Sequence, residues 1–163
     1  MKTLLIVYHS RTGGAAQMAR AAARGARAEP EIRTRLLTAE AARAEDLLAA
    51  EAYIFAAPEN SAALSGEMKA FFDRSYYPAL GRIEGRRYAS LICAGSDGTN
   101  AARQISRITT GWRLQAAAEP LIVCTHAQTP EAILAEKVLR QEDLAACAAL
   151  GEVMAAGLAA GIF

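Results

Sequence analysis

Histidine and cysteine are scarce, with two of the first and three of the second in a chain of 163 residues. The cysteines, Cys93, Cys124 and Cys147, are widely spaced, with no CxxC pair and no clustered histidine. Such spacing supports neither a zinc site nor a disulfide framework, and an odd number of apolar-flanked thiols reads as free cysteine in a reducing cytoplasm. An excess of one charge is also lacking, since 18 Lys+Arg stand against 17 Asp+Glu for a net charge of +1. This balance argues against a nucleic-acid partner, and equally against a strongly acidic electron shuttle. No apolar run reaches the length of a membrane span, and the apolar stretch within Met1–Tyr8 is too short for a signal peptide. The length leaves room for a single domain, residues 1–163, and none for a second cofactor-binding domain. The expectation is a soluble, cytoplasmic, single-domain protein without a bound metal.

What the chain does have is apolar substance: 53% of its residues are hydrophobic, enough for a compact core. Short apolar runs alternate with longer helical stretches, the pattern of a parallel sheet with helices on both faces. Strands are expected at Leu4–Tyr8, Glu31–Leu37, Ala52–Ala57, Tyr88–Ala94 and Pro120–Cys124, the third stopped by Pro58 and the second exposed toward an edge. Helices are expected over about 15–28, 41–49, 66–76, 100–116 and 142–160. The last carries Leu144, Cys147, Leu150, Met154 and Leu158 as one apolar stripe suited to covering a sheet. The fold class is therefore α/β, a three-layer sandwich. Ligands of such sheets bind beyond the carboxyl ends of the strands, which directs attention to the loops after Tyr8, Ala57 and Ala94.

The first loop, Ser10-Arg11-Thr12-Gly13-Gly14-Ala15, runs from strand to helix. Unpaired N–H groups, a helix dipole and two hydroxyls make an anion cradle there, and a phosphate monoester fits it. The loop has no lysine after its glycines and no GxGxxG spacing, so it is neither a nucleotide-triphosphate loop nor a dinucleotide turn. By itself it also reads as an ordinary capped turn. Val7-Tyr8-His9-Ser10-Arg11-Thr12-Gly13-Gly14 resembles the phosphate loop of flavodoxin-like FMN proteins, where a hydroxyl–x–hydroxyl–Gly pattern follows the first strand. A further hydroxyl common in those loops is replaced by Ala15, with Arg11 offering charge in compensation.

After the third strand, Ser65 to Arg74 resembles the Ser-Gly-x-x-Lys-x-Phe-x-Asp-Arg helix start of NAD(P)H-dependent FMN reductases and related quinone reductases. Pro58-Glu59 resembles the opening of the same loop, and the resemblance implies that Pro58, Glu59, Asn60, Ser61 and Ala62 line the isoalloxazine ring with main-chain amides. No aromatic residue stands in the loop, and Tyr76 or Tyr77 would have to supply ring stacking from elsewhere. Met68, Phe71 and Phe72 fall at core spacing. After the fourth strand, Ala94-Gly95-Ser96-Asp97-Gly98 stands where such proteins hold the pyrimidine side of the flavin, with Asp97 aimed at ribityl hydroxyls or solvent. Without the resemblance it reads as a turn capped by Thr99 or Asn100.

Other chemistries of the same architecture are weakened. A cysteine phosphatase wants an arginine six residues after Cys93, where Thr99 stands, and a phosphoacceptor receiver wants an aspartate where Pro58-Glu59 stands. His9 reads as a loop residue near the phosphate, and His126 as a structural residue at the sheet end that opens to substrate. The resemblance implies a flavodoxin-like fold with strand order 2-1-3-4-5, FMN as cofactor, and NADPH or NADH as transient electron donor to a flavin, a quinone or a similar small-molecule acceptor. It also implies no catalytic side chain and association into homodimers or homotetramers. Two alternatives stay open: a flavodoxin-type carrier without its own NAD(P)H turnover, and a flavin-free interaction protein that kept the fold.

Overall fold

A computed structural model describes all of residues 1–163. Its parallel sheet contains β1 (Lys2–Tyr8), β2 (Ile32–Thr38), β3 (Ala52–Asn60) and β5 (Arg87–Ala94), completed by β6 (Gln115–Ala116) and β7 (Leu121–Cys124). The order is β2-β1-β3-β5, with β6 and β7 both pairing along β5 as one interrupted edge strand. Reading β6 and β7 as one strand gives the expected 2-1-3-4-5. A two-residue strand, β4 (Ala63–Leu64), folds back antiparallel on the end of β3. The helices are α1 (Gly14–Ala26), α2 (Ala44–Leu48), α3 (Gly66–Ala79), α4 (Thr99–Gly111), α5 (Pro130–Leu134) and α6 (Gln141–Ala159).

The central strands are apolar through most of their middle, Leu4–Val7, Ala52–Ala57 and Leu91–Ala94, because both faces are covered. Leu5, Val7, Tyr53, Phe55 and Ile92 enter one core with Phe71, Phe72 and Trp112 of the α3–α4 side. Leu4, Ile6, Ile54, Leu91 and Cys93 enter the other, against α1 and α6. Aromatic side chains fill the first layer and alanines the second. On the alanine side the helices come within backbone contact: a Cβ at Gly25 would strike the carbonyl of Ala148, and one at Gly151 the carbonyl of Ala22. Of the expected stripe, Cys147, Met154 and Leu158 are buried while Leu144 and Leu150 are half-buried, and Gly151 sets how close α6 lies.

Three expectations are corrected. Pro58 does not stop β3, which runs on to Asn60; β1 ends opposite Ala56, so Pro58 is flanked only by β5 and its missing N–H breaks no ladder. The helix expected over 100–116 ends at Gly111, where Trp112 turns inward and donates from Nε1 to the Tyr76 carbonyl (2.9 Å). Arg113 then takes a positive φ of 57° and the chain re-enters the sheet as β6. Helix α5 falls in a stretch where no element is expected from sequence, although Thr129-Pro130-Glu131 carries a start signal: Thr129 Oγ1 accepts from Ala132 N (3.2 Å) and Pro130 occupies the first turn. No helix is long and apolar enough to cross a membrane.

The α1–α6 contact generates a stability prediction. Gly→Ala inside an exposed helix gains about 1 kcal/mol. At Gly151 the added methyl has no room, so Gly151→Ala is expected to lose about 1–3 kcal/mol instead. Urea denaturation of the flavin-free protein measures it, and a variant as stable as the parent would contradict the packing described.

Candidate functional site

The registers bring the carboxyl ends of β1, β3, β5 and β7 level: Tyr8 lies opposite Ala56, Pro58 opposite Cys93, and Ala94 opposite Cys124. The segments that leave these ends enclose a cavity of about 100 Å³. Ser10, Arg11, Thr12, Gly14 and Ala15 line it from the first loop, Pro58, Glu59 and Asn60 from β3, and Cys93, Ala94 and Gly95 from β5. The cavity adjoins an open cleft of about 630 Å³ to which Arg11, Glu59, Asn60 and Gly95 also contribute, joined by Ser61, Ala62 and Ser96. A compact polar chamber thus continues into a broad cleft of the size that takes a small-molecule ligand.

The chamber is lined by unused hydrogen-bond donors. Gly13 caps α1 with a positive φ of 93°, and its N–H donates to Ser10 Oγ (3.1 Å), which closes the turn. The N–H groups of Arg11, Thr12, Gly14 and Ala15 donate to nothing else in the protein. Those of Gly14 and Ala15 belong to the unsatisfied first turn of α1, where the helix dipole adds its positive end. Residue 14 has to be glycine, because a Cβ there would collide with Cys93 Sγ. Burial pushes the Cys93 thiol up to about 11, with the charge of Lys137 opposing. Cys93 is therefore a neutral packing residue beneath the loop and not a nucleophile.

The cleft wall is a hairpin clamped to α4. Ser61 and Ala62 form its tip with φ of 49° and 61°, a turn that ordinarily selects Asn-Gly. Glu59 accepts from Gly98 N and Ala101 N (both 3.0 Å), so its carboxylate caps α4. Asn100 Nδ2 donates to the Ala62 carbonyl (2.7 Å), and Gln104 Oε1 accepts from Leu64 N (2.7 Å).

Of the residues singled out from sequence, Ser10, Arg11, Thr12, Gly14, Pro58, Glu59, Asn60, Ser61, Ala62, Ala94, Gly95 and Ser96 lie together around the cavity and cleft. Gly13, Asp97 and Gly98 do not line them. Gly13 and Gly98 are the left-handed caps of α1 and α4, and Asp97 is turned back onto Thr99, accepting from its N–H (3.3 Å) and its hydroxyl (2.8 Å). Neither Thr99 nor Asn100 caps α4 with its side chain. Tyr76 and Tyr77 lie far down α3, Tyr76 stacked on Trp112, so no aromatic ring reaches the cleft. His9 is buried behind the loop, its Nδ1 3.0 Å from Ser65 Oγ and its Nε2 3.5 Å from Glu67, where it ties the loop to α3. His126 does not line the cavity but an adjoining depression beside Cys124, which shares Thr125 and Lys137 with it.

Sequence reading missed the clamp residues Asn100 and Gln104 and the whole fourth wall. Thr125, Ala127, Ile133 and Lys137 close the cavity from the segment after β7. Their position past a strand's carboxyl end was the available signal.

The family model for NADPH-dependent FMN reductase matches residues 1–128. A flavodoxin of Aquifex aeolicus (strain VF5) is 33% identical over 98 residues, 60% of this chain and 53% of that protein, so the match spans about half the relative's length. Among solved structures, a flavodoxin from the domain Archaea superposes with a TM-score of 0.80 at 18% identity, covering 96% of this chain and 99% of the other. A WrbA-like flavodoxin from Agrobacterium tumefaciens superposes with a TM-score of 0.71 at 20% identity, covering 96% of each. These two likenesses establish a shared flavodoxin-like fold. The family match takes in the strands, the first loop and the clamped hairpin, and by it the chain belongs to the NADPH-dependent FMN reductase family.

Proposed function

We propose that this protein is an FMN-dependent oxidoreductase that passes electrons from NADH or NADPH to a flavin, a quinone or a similar small acceptor. The observation that carries the reading is the polar chamber, lined with free amides, opening directly into the broad cleft. Its donor set suits a phosphate monoester: the amides of Arg11, Thr12, Gly14 and Ala15, with the hydroxyls of Ser10 and Thr12. Ala15 lacks a hydroxyl but keeps a free N–H, so the cradle does not lose a donor position altogether. A single phosphate-sized chamber beside the cleft favours FMN over FAD. FMN held by these amides and hydroxyls would supply the hydride and electron-transfer chemistry between a nicotinamide and the acceptor.

The protein's own residues position and select. The hairpin Pro58–Ala62 and the turn Ala94–Ser96 form two walls of the cleft, held rigid through Glu59, Asn100 and Gln104. The absence of an aromatic lid leaves one face of a bound ring open to a second flat group, which favours a reductase over a carrier. A subunit partner in a homodimer or homotetramer would narrow that side. Three free thiols suit a reducing compartment such as the cytoplasm. The match to a flavodoxin favours one second reading, a carrier without NAD(P)H turnover.

Two measurements test the reading. Thr12→Ala removes a donor to a charged group and should weaken FMN about tenfold or more while leaving riboflavin unaffected. Ser10→Ala should do the same with some added loop disorder, because Ser10 Oγ also receives Gly13 N–H. In a fluorescence titration, a Ser10→Ala/Thr12→Ala variant that folds normally and binds FMN as tightly as the parent would place the phosphate elsewhere.

The second is anaerobic mixing of the FMN-loaded protein with NADH and with NADPH. At least one is expected to bleach the flavin absorbance, and benzoquinone to restore it. A flavin left oxidised by both would leave the carrier reading.

A further inference from the structure

Beyond β7 the chain does not turn straight into α6. Residues 125–140 form a strap that crosses the first loop, and all but its beginning lies outside the 1–128 family match. Lys137 N donates to the Thr12 carbonyl (2.8 Å), while Gln17 Nε2 donates to the carbonyls of Lys137 (2.5 Å) and Gly13 (3.1 Å). Gln17 Oε1 then accepts from Leu139 N (3.2 Å). Gln17 is on α1, so the strap is fastened to the same turn that presents the free amides. A Cβ built at Gly14 would lie 3.8 Å from the Cβ of Lys137, which fixes the root of that side chain directly over the chamber.

We propose that Lys137 is the counter-charge of the FMN phosphate, and that it makes the site select the phosphorylated flavin over riboflavin. The inference rests on the FMN reading above and adds a residue to it. Lys137 has no carboxylate partner. Its Nζ instead donates to the carbonyls of Ala132 (2.9 Å), Ile133 (2.8 Å) and Ala135 (2.6 Å) at the end of α5, which hold the charge beside the cavity. A phosphate oxygen is a stronger acceptor than a carbonyl and draws one of these three protons toward the chamber. Lys137 already lines the cavity, and its flexible four-carbon stem gives the ammonium the freedom to turn from these carbonyls toward it. Arg11, the charge that sequence alone favours, is solvent-exposed at the mouth and correspondingly screened. Glu136, the neighbouring acid, packs against the outer side of Gly13 and lines a hollow there with Ser10, Arg20 and Glu40, and it does not line the cavity itself.

The test is Lys137→Met, with Lys137→Arg as the charge-conserving control, titrated with FMN and with riboflavin by flavin fluorescence. Lys137→Met is expected to weaken FMN about tenfold, leave riboflavin unchanged, and flatten the salt dependence of FMN binding. Lys137→Arg should recover most of the loss. Undiminished FMN binding by Lys137→Met overturns the assignment while the FMN reading stands. So does an equal loss for both flavins, which would mark the residue as strap packing. A parent protein that binds neither flavin overturns the FMN reading itself, and the inference with it.

Discussion

Between the first turn of α1 and the end of β5 there is no room for a side chain at residue 14, where any Cβ would meet the sulfur of Cys93. This contact brings the amino end of a helix down onto the sheet, and the rest of the site follows from it. In this turn the Gly13 N–H closes onto Ser10, while Arg11, Thr12, Gly14 and Ala15 line the chamber with N–H groups that find no acceptor within the protein. The close approach of α1 is in turn permitted by alanine and glycine along its length, and α6 locks it from behind through Gly25 and Gly151. A packing constraint in the alanine layer thus sets the electrostatics at the opposite end of the molecule.

The cleft depends on a different device. Its hairpin tip holds two non-glycine residues at positive φ, a conformation that costs on the order of 1–3 kcal/mol per residue and persists only where the surroundings enforce it. Glu59, Asn100 and Gln104 provide that enforcement from three points along the hairpin. Glu59 has a double role, because the carboxylate that fixes the hairpin also satisfies the bare amino end of α4. Both α1 and α4 start at left-handed glycines, yet only α4 has its first turn occupied by a protein acid. The amino end of α1 is left for a ligand's charge.

The sheet was legible in the sequence because each inner strand is covered on both faces and so reads as an unbroken apolar run. Boundaries failed where tertiary context overrode local signals. Pro58 looks like a stop, and is harmless because β1 has already ended. The end of α4 was blurred by helix-compatible residues after Gly111, and only the burial of Trp112 reveals it. The loops that meet at the strand ends could be named because that edge is where such folds place ligands. Side-chain direction could not: Glu59 and Asp97 look alike as loop acids, but one caps a neighbouring helix and the other bends onto Thr99. Lys137 was invisible as a site residue because its place over Gly14 depends on a fastening by Gln17, 120 residues earlier in the chain.

The central claim is that the chamber grips a phosphate through fixed positive charge and amide dipoles. Phosphorus-31 NMR of the FMN-loaded protein across the pH range of phosphate titration tests it most directly. A free phosphate monoester takes up its second proton at a pKa of about 6. Held by unpaired amides and the Lys137 ammonium, the phosphate should remain a dianion, with a resonance that does not move with pH in the range where free FMN titrates. A bound phosphorus signal that titrates as it does in free FMN would contradict the account.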